Sequence, residues 1–171
     1  MTPSIINLCY KEAIKSKCLY KLGCVITKGN KILCSSFNDN MRTSYNGNIT
    51  CCRHAEMGAV DQLFNRFIRR NLNKFKLKRY KNSKQHRRFY NLSKYTLHVF
   101  RIPNDLLLRK KKVIKKSKPC KRCSDKLRDM GFRKICYSND EGDIIKDDLR
   151  KYKTEYLSAS QKDTTKYSKI I

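Results

Sequence analysis

The sequence predicts one α/β domain in which amphipathic helices alternate with short strands. Three observations carry that prediction. Apolar residues recur with helical spacing over residues 5–16 and again over 53–68. Short apolar runs bounded by turn residues read as strands at 23–27, 31–36, 95–102 and 132–137. Two short motifs, His54-Ala55-Glu56 and Pro119-Cys120-Lys121-Arg122-Cys123, each open a predicted helix after a polar or strand segment. The 171 residues are enough for one core and too few for two ordinary domains, and no internal repeat is visible.

Taken in order, Ile5, Leu8, Cys9, Ala13 and Ile14 share a face and predict a first helix over 5–16. Strand 23–27, turn 28–30 and strand 31–36 form a hairpin. Residues 37–52, with Asn38, Asn40, Asn46, Gly47 and Asn48, read as loop. The second helix starts near Arg53 and buries Ala55, Ala59, Val60, Leu63, Phe64, Phe67 and Ile68. His54 and Glu56 therefore fall in its first turn, where the helix end favours negative charge. A strand over 95–102 follows. A third helix runs from Cys120 to Met130, stopped by Gly131. A strand over 132–137 and a turn at 140–143 come next. Leu149, Tyr152 and Tyr156 then predict a last helix over 147–157. Ile144-Ile145-Lys146 is the only remnant of a fifth strand. The domain is expected over 1–157, with basic insertions near 66–94 and 103–118 and a polar tail over 158–171.

Forty-one Lys and Arg face fourteen Asp and Glu, a net charge of +27. Charge reports on partners rather than fold. It points to a polyanion: nucleic acid, free or packaged, before an acidic membrane surface. The alternative is a solvated basic face in a chain drawn from a genome rich in Lys, Asn and Ile codons. The basic residues cluster. Residues 66–88 hold eleven Lys or Arg, among them Arg69 and Arg70, and 109–122 hold nine. Tyr80, Phe89, Tyr90 and Tyr95 interleave with the first block as base-stacking candidates, though each reads at least as well as core of an insertion. No apolar run approaches the roughly 18 residues of a membrane span, and 1–15 lacks a signal-peptide core. Nine cysteines with a Cys-x-x-Cys pair and no secretion signal favour metal ligation and buried thiols over disulfides. An intracellular location follows, cytoplasm or nucleus, or a virus particle.

The chemistry lies in the two motifs together. Zinc takes imidazole and thiolate ligands tetrahedrally, and a catalytic site keeps one position open. His54, Cys120 and Cys123 supply three ligands, the two cysteines spaced so that both reach one metal from a helix start. Glu56 can then move protons without ligating. His-x-Glu followed by Pro-Cys-x-x-Cys is the pattern of the zinc deaminases. The competing reading is a structural zinc completed by Cys51, Cys52 or Cys136; buried small hydrophobes are the commoner fate of such residues.

On these residues the chain resembles the cytidine and deoxycytidylate deaminase superfamily over roughly residues 5–157, and the segment from Gly131 to Ser138 is also similar to the strand after that family's cysteine helix. The resemblance implies a three-layer α/β/α fold with a mixed sheet of four to five strands. It implies Zn²⁺ on His54, Cys120 and Cys123, with Glu56 as proton shuttle for hydrolysis at C4 of cytosine. It further implies Asn38 as a sugar contact and the backbone near Ala55 and from Ser117 to Pro119 as contacts to the base edge. The long basic insertions depart from the family and favour a polynucleotide, with Lys116, Lys118 and Lys121 guiding phosphates beside the site. The expected function is thus deamination of cytosine in a nucleotide or single-stranded nucleic acid. The alternatives are a non-catalytic, strongly basic nucleic-acid-binding or virion protein that reuses the fold, and an adenine deaminase of RNA. Relatives often assemble as dimers or tetramers, so several copies together are expected.

Overall fold

The structure is a computed structural model and describes residues 3–41, 43–45, 48–50, 52–71, 92–105 and 113–158. Its elements in order are α1 (Pro3–Lys15), β1 (Lys21–Lys28), β2 (Lys31–Phe37), β3 (Thr43–Tyr45), β4 (Asn48–Thr50), α2 (Ala55–Asn71), a short 3-10 turn (Leu92–Lys94), β5 (Tyr95–Ile102), α3 (Lys121–Met130), β6 (Lys134–Ser138) and β7 (Ile144–Asp148).

Five strands make one mixed sheet in the order β2-β1-β5-β6-β7. β1 is antiparallel to β2 and β5, β5 and β6 run parallel, and β7 returns antiparallel to β6. The parallel pair is joined by a connection containing α3, as parallel strands require a crossover. Strand alternation assigns the side chains to two layers. Cys24, Ile26, Leu97, Val99, Ile135 and Tyr137 join Ala59, Val60, Leu63 and Leu127 in the core beneath α2 and α3. Val25, Phe100 and Cys136 meet Ile5 and Cys9 beneath α1. β1 is covered on both faces, which explains its unbroken buried run. Helix α1 lies close on the sheet at Gly23, where a Cβ would sit 1.9 Å from the Cys9 carbonyl oxygen. Gly131, at φ 95°, ends α3 in the left-handed region that glycine tolerates.

The sheet therefore has five strands, and 144–148 forms the fifth in full. The predicted last helix is absent. Its first residues are paired with β6, and Asp148 folds the chain into a turn, its carboxylate accepting from the Arg150 backbone at 2.9 Å. Leu149 and Tyr152 are buried, as the helical spacing demanded, but Tyr156 is exposed. The predicted loop over 37–52 contains the short β3–β4 hairpin. Most of the first basic insertion, with Tyr80, Phe89 and Tyr90, lies outside the described residues, as do 106–112 and the tail from 159. No helix among the described residues is long and apolar enough to cross a membrane.

Candidate active site

The N-termini of α2 and α3 meet above the sheet. An antiparallel bridge between Asp39 and Arg53, reinforced by a 2.5 Å ion pair between their side chains, fixes the approach to α2. His54 stands just before the helix, its carbonyl accepting from the Gly58 N–H at 3.0 Å. Cys120 caps α3, and Cys123 lies one turn into it. The two helices thus bring His54, Cys120 and Cys123 together, their ligand atoms all within 4.8 Å of one another.

The separations fit zinc. Bonds of about 2.3 Å to sulfur and about 2.0 Å to nitrogen at tetrahedral angles put N and S about 3.5 Å apart. His54 Nδ1 lies 3.2 Å from Cys123 Sγ and 3.5 Å from Cys120 Sγ. The charge state fits as well. A hydrogen bond from Cys123, stronger than the opposing cost of burial, helps hold the Cys120 thiol down to about 4, while Cys123 is pushed well up. The two sulfurs thus share one negative charge. Burial alone would lower the His54 pKa, but Cys120, Cys52 and Glu56 outweigh it and raise it to about 11. An imidazolium–thiolate pair is what a cation-seeking donor set becomes when protons take the metal's place. Among the described residues these three make the only such convergent group. Cys52 lines the neighbouring cleft outside that group. Cys136 faces α1 on the other side of the sheet, and Cys51 lies outside the described residues.

Glu56, in the first turn of α2, is 2% exposed, and its Oε2 has no hydrogen-bond partner among the described residues. Burial raises its pKa, with the His54 charge pulling the other way. A buried carboxylate oxygen without a donor is rare and calls for a partner the protein itself does not supply.

A cleft of about 600 Å³ opens over Glu56 and His54. Asn38, Ala55 and Ser117 line it, as do Lys116 and Lys118. Asn38 spends its amide on the backbone, accepting from Leu22 N at 2.8 Å and donating to Tyr20 O at 2.7 Å. Ser117 is equally committed: its hydroxyl donates to Val99 O at 2.7 Å and accepts from Ser138 N at 2.9 Å. Both shape the wall rather than offer free side chains to a ligand. Pro119 is buried behind the wall, its carbonyl accepting from the Tyr152 hydroxyl at 2.9 Å. Lys121 turns away from the cleft to pair with Glu155 at 2.7 Å. Arg69 and Arg70 lie on the last turns of α2, and their side chains are outside the described residues.

Several cleft residues had no signal in the local sequence. Arg101, at the end of β5, lines the cleft with its guanidinium 4.4 Å from the centre of the Tyr20 ring. The segment after β7 returns across the site: the Lys121 N–H bonds Tyr156 O at 2.9 Å, and the Ser158 hydroxyl lies 3.2 Å from His54 Nε2. The expected tail therefore begins with a residue that touches the His54 imidazole.

Residues 3–139 match the profile of the cytidine and deoxycytidylate deaminase zinc-binding region. The fold is similar to a cytidine deaminase from Burkholderia pseudomallei, with a TM-score of 0.52 at 15% identity, over 87% of this chain and 94% of that one. A dCMP deaminase from the cyanophage S-TIM5 aligns with a TM-score of 0.38 at 18% identity, over 82% of this chain and 86% of that one. No curated protein matches in sequence.

Proposed function

The chain belongs to the cytidine and deoxycytidylate deaminase zinc-binding family, and from that membership we propose that it is a hydrolytic deaminase that converts cytosine, carried by a nucleotide or a single-stranded nucleic acid, to uracil and ammonia. The observation that carries the reading is Glu56: a fully buried carboxyl group with one unpartnered oxygen, beside a His-Cys-Cys set at the floor of a cleft. A purely structural zinc site has no use for such a group.

In this reading His54, Cys120 and Cys123 hold the metal. Zinc bound there would supply Lewis acidity, lowering the pKa of water to about 7 and so making it a nucleophile near neutral pH. The chain's own groups do the rest. Glu56 takes a proton from the attacking water and delivers it to N3 of the ring. A C4–O bond forms. Glu56 then takes the remaining proton from the new C4 hydroxyl and delivers it to the amine; the C4–N bond breaks, the C4 carbonyl forms, and ammonia leaves. The raised pKa of Glu56 suits a group that must both accept and return a proton. Ala55 lines the cleft at the first turn of α2, where backbone N–H groups lack partners within the helix, and offers its backbone to the base edge. Asn38 and Ser117 act by holding the walls against which the sugar and base rest.

The test is ammonia release from cytidine, deoxycytidine monophosphate and single-stranded DNA. Glu56→Gln should cut turnover by at least about a hundredfold while the zinc content stays that of the wild type. No turnover on any substrate, with salt-sensitive DNA binding retained, would favour the non-catalytic nucleic-acid-binding reading instead.

A further inference from the structure

The mouth of the cleft carries features that a mononucleotide would not use. Among the described residues, Leu19, Tyr20 and Tyr156 are large apolar side chains left 72%, 49% and 53% exposed, and all three line this cleft. Exposed apolar residues grouped at one opening mark a binding surface. Arg101 lies over the Tyr20 ring, and its Nε is buried with no hydrogen-bond partner among the described residues. The guanidinium also lines the open cleft, and phosphate oxygens match its fork of donors. Lys116 and Lys118 add positive charge on the same side. Lys116 is paired with Asp140, but both partners are about half exposed or more, so a phosphate can compete for the ammonium. The Lys118 ammonium sits 5.5 Å from the centre of the Tyr152 ring, which holds it near the opening.

We propose that the cleft takes single-stranded nucleic acid rather than a free nucleotide, with Arg101 on a backbone phosphate and Tyr20 and Tyr156 stacking the bases that flank the target. This deepens the deaminase reading and rests on it for the identity of the target base. A base swallowed by the cleft leaves the rim aromatics idle, whereas neighbouring bases of a strand present ring faces to them. Stacking and phosphate neutralisation together give the sequence-tolerant, salt-sensitive binding of single-strand grooves. A duplex cannot enter without unpairing its target, which costs binding energy. The net charge of +27 supplies the wider field that draws a strand toward the opening.

The experiment is fluorescence anisotropy with a labelled oligothymidylate carrying one central cytosine. The protein is the full chain with zinc, as wild type and as Glu56→Gln so that turnover does not consume the probe. Tyr20→Ala should weaken binding about tenfold, and Tyr20→Phe should restore it. Arg101→Gln should lower the slope of log affinity against log salt by about 0.7, the share of one phosphate on a single strand. Zinc content and far-UV circular dichroism check that each variant is folded; the Ala/Phe pair at Tyr20 stands alone if Arg101→Gln is not. Deoxycytidine monophosphate and the matching duplex should displace the probe only weakly. The proposal is overturned if the monophosphate competes as well as the oligomer. It is also overturned if Tyr20→Ala leaves binding unchanged, which would put the strand on another basic face. Ammonia from the monophosphate with no binding or turnover of the oligomer sinks the strand proposal and leaves the deaminase reading intact. Binding that responds to Tyr20 and Arg101, with no ammonia from any substrate, does the reverse and leaves a strand-binding cleft.

Discussion

Lowering the pH should unfold this protein partly through one histidine on the opposite side of the sheet from His54, Cys120 and Cys123. His98 lies on β5, on the α1 side of the sheet, and is 6% exposed. Its Nε2 is 3.1 Å from the Thr27 hydroxyl; the titratable groups acting on or lying near it include the amino terminus, Lys146 on β7, and the thiols of Cys9 on α1 and Cys136 on β6. Burial first, and then nearby positive charge including Lys146, lowers its pKa to about 4. In the unfolded chain the imidazole titrates near 6.5. As pH falls below that value the unfolded state gains a proton that the folded state refuses, so stability drops. The loss accumulates until the folded imidazole also titrates, near pH 4. Each pH unit in that window is worth about 1.4 kcal/mol, which makes the whole effect about 3 kcal/mol and the effect at pH 5 about 2 kcal/mol. Urea unfolding of the wild type and of His98→Gln, at about pH 7.5 and about pH 5, isolates the contribution. Gln keeps a polar group near Thr27 but does not titrate. The variant should lose about 2 kcal/mol less than the wild type between the two conditions. Protonation of the metal ligands and the carboxylates occurs in both proteins and cancels from the difference. Equal losses would mean that His98 ionises freely in the folded protein and is not enclosed as described.

Gly23→Ala should abolish soluble protein, because its Cβ would lie 1.9 Å from a backbone oxygen of α1; expression with a solubility assay checks this, and a stable variant would mean that α1 packs elsewhere. Cys120→Ser should reduce metal from about one zinc per chain to a small residue, read by elemental analysis of the purified protein. Ser158→Ala should weaken metal binding about tenfold, since partners of a ligating imidazole's second nitrogen orient it. Competition with a chelator and the visible spectrum of the cobalt-substituted protein should both shift, and Ser158→Thr should recover them.

The convergence of His54, Cys120 and Cys123 beside Glu56 was legible in the sequence because its geometry is local. His54 and Glu56 share a helix turn, Cys120 and Cys123 share another, and each helix announces its start. Strand alternation could also have removed Cys136 as a fourth ligand: Ile135 and Tyr137 face α2 and α3, so the residue between them must face α1. The predicted last helix failed for a reason of competing order. Leu149, Tyr152 and Tyr156 have helical spacing, but the pairing of 144–148 with β6 and the side chain of Asp148 commit the chain to a strand and a turn first. Arg101 and Ser158 were invisible because their partners, Tyr20 and His54, are distant in sequence and meet them only through the sheet order and the returning segment. Lys121 was misplaced for the converse reason: it adjoins Cys120 in sequence, yet Glu155 draws its side chain outward.

The stretch from Leu149 to Ser158 is the last described part of the chain to leave the ribosome, and it finishes the surroundings of a ligand laid down near position 54. A chain halted before Tyr152 would carry the three donors but neither the hydroxyl lodged against the Pro119 carbonyl nor the one beside His54, so on the proposed reading metal is held well only once synthesis has passed position 158. A protease cut in the turn at 149–151 would uncouple the same two contacts in a finished molecule while sparing every strand, so a nicked protein should keep its shape and surrender its metal first.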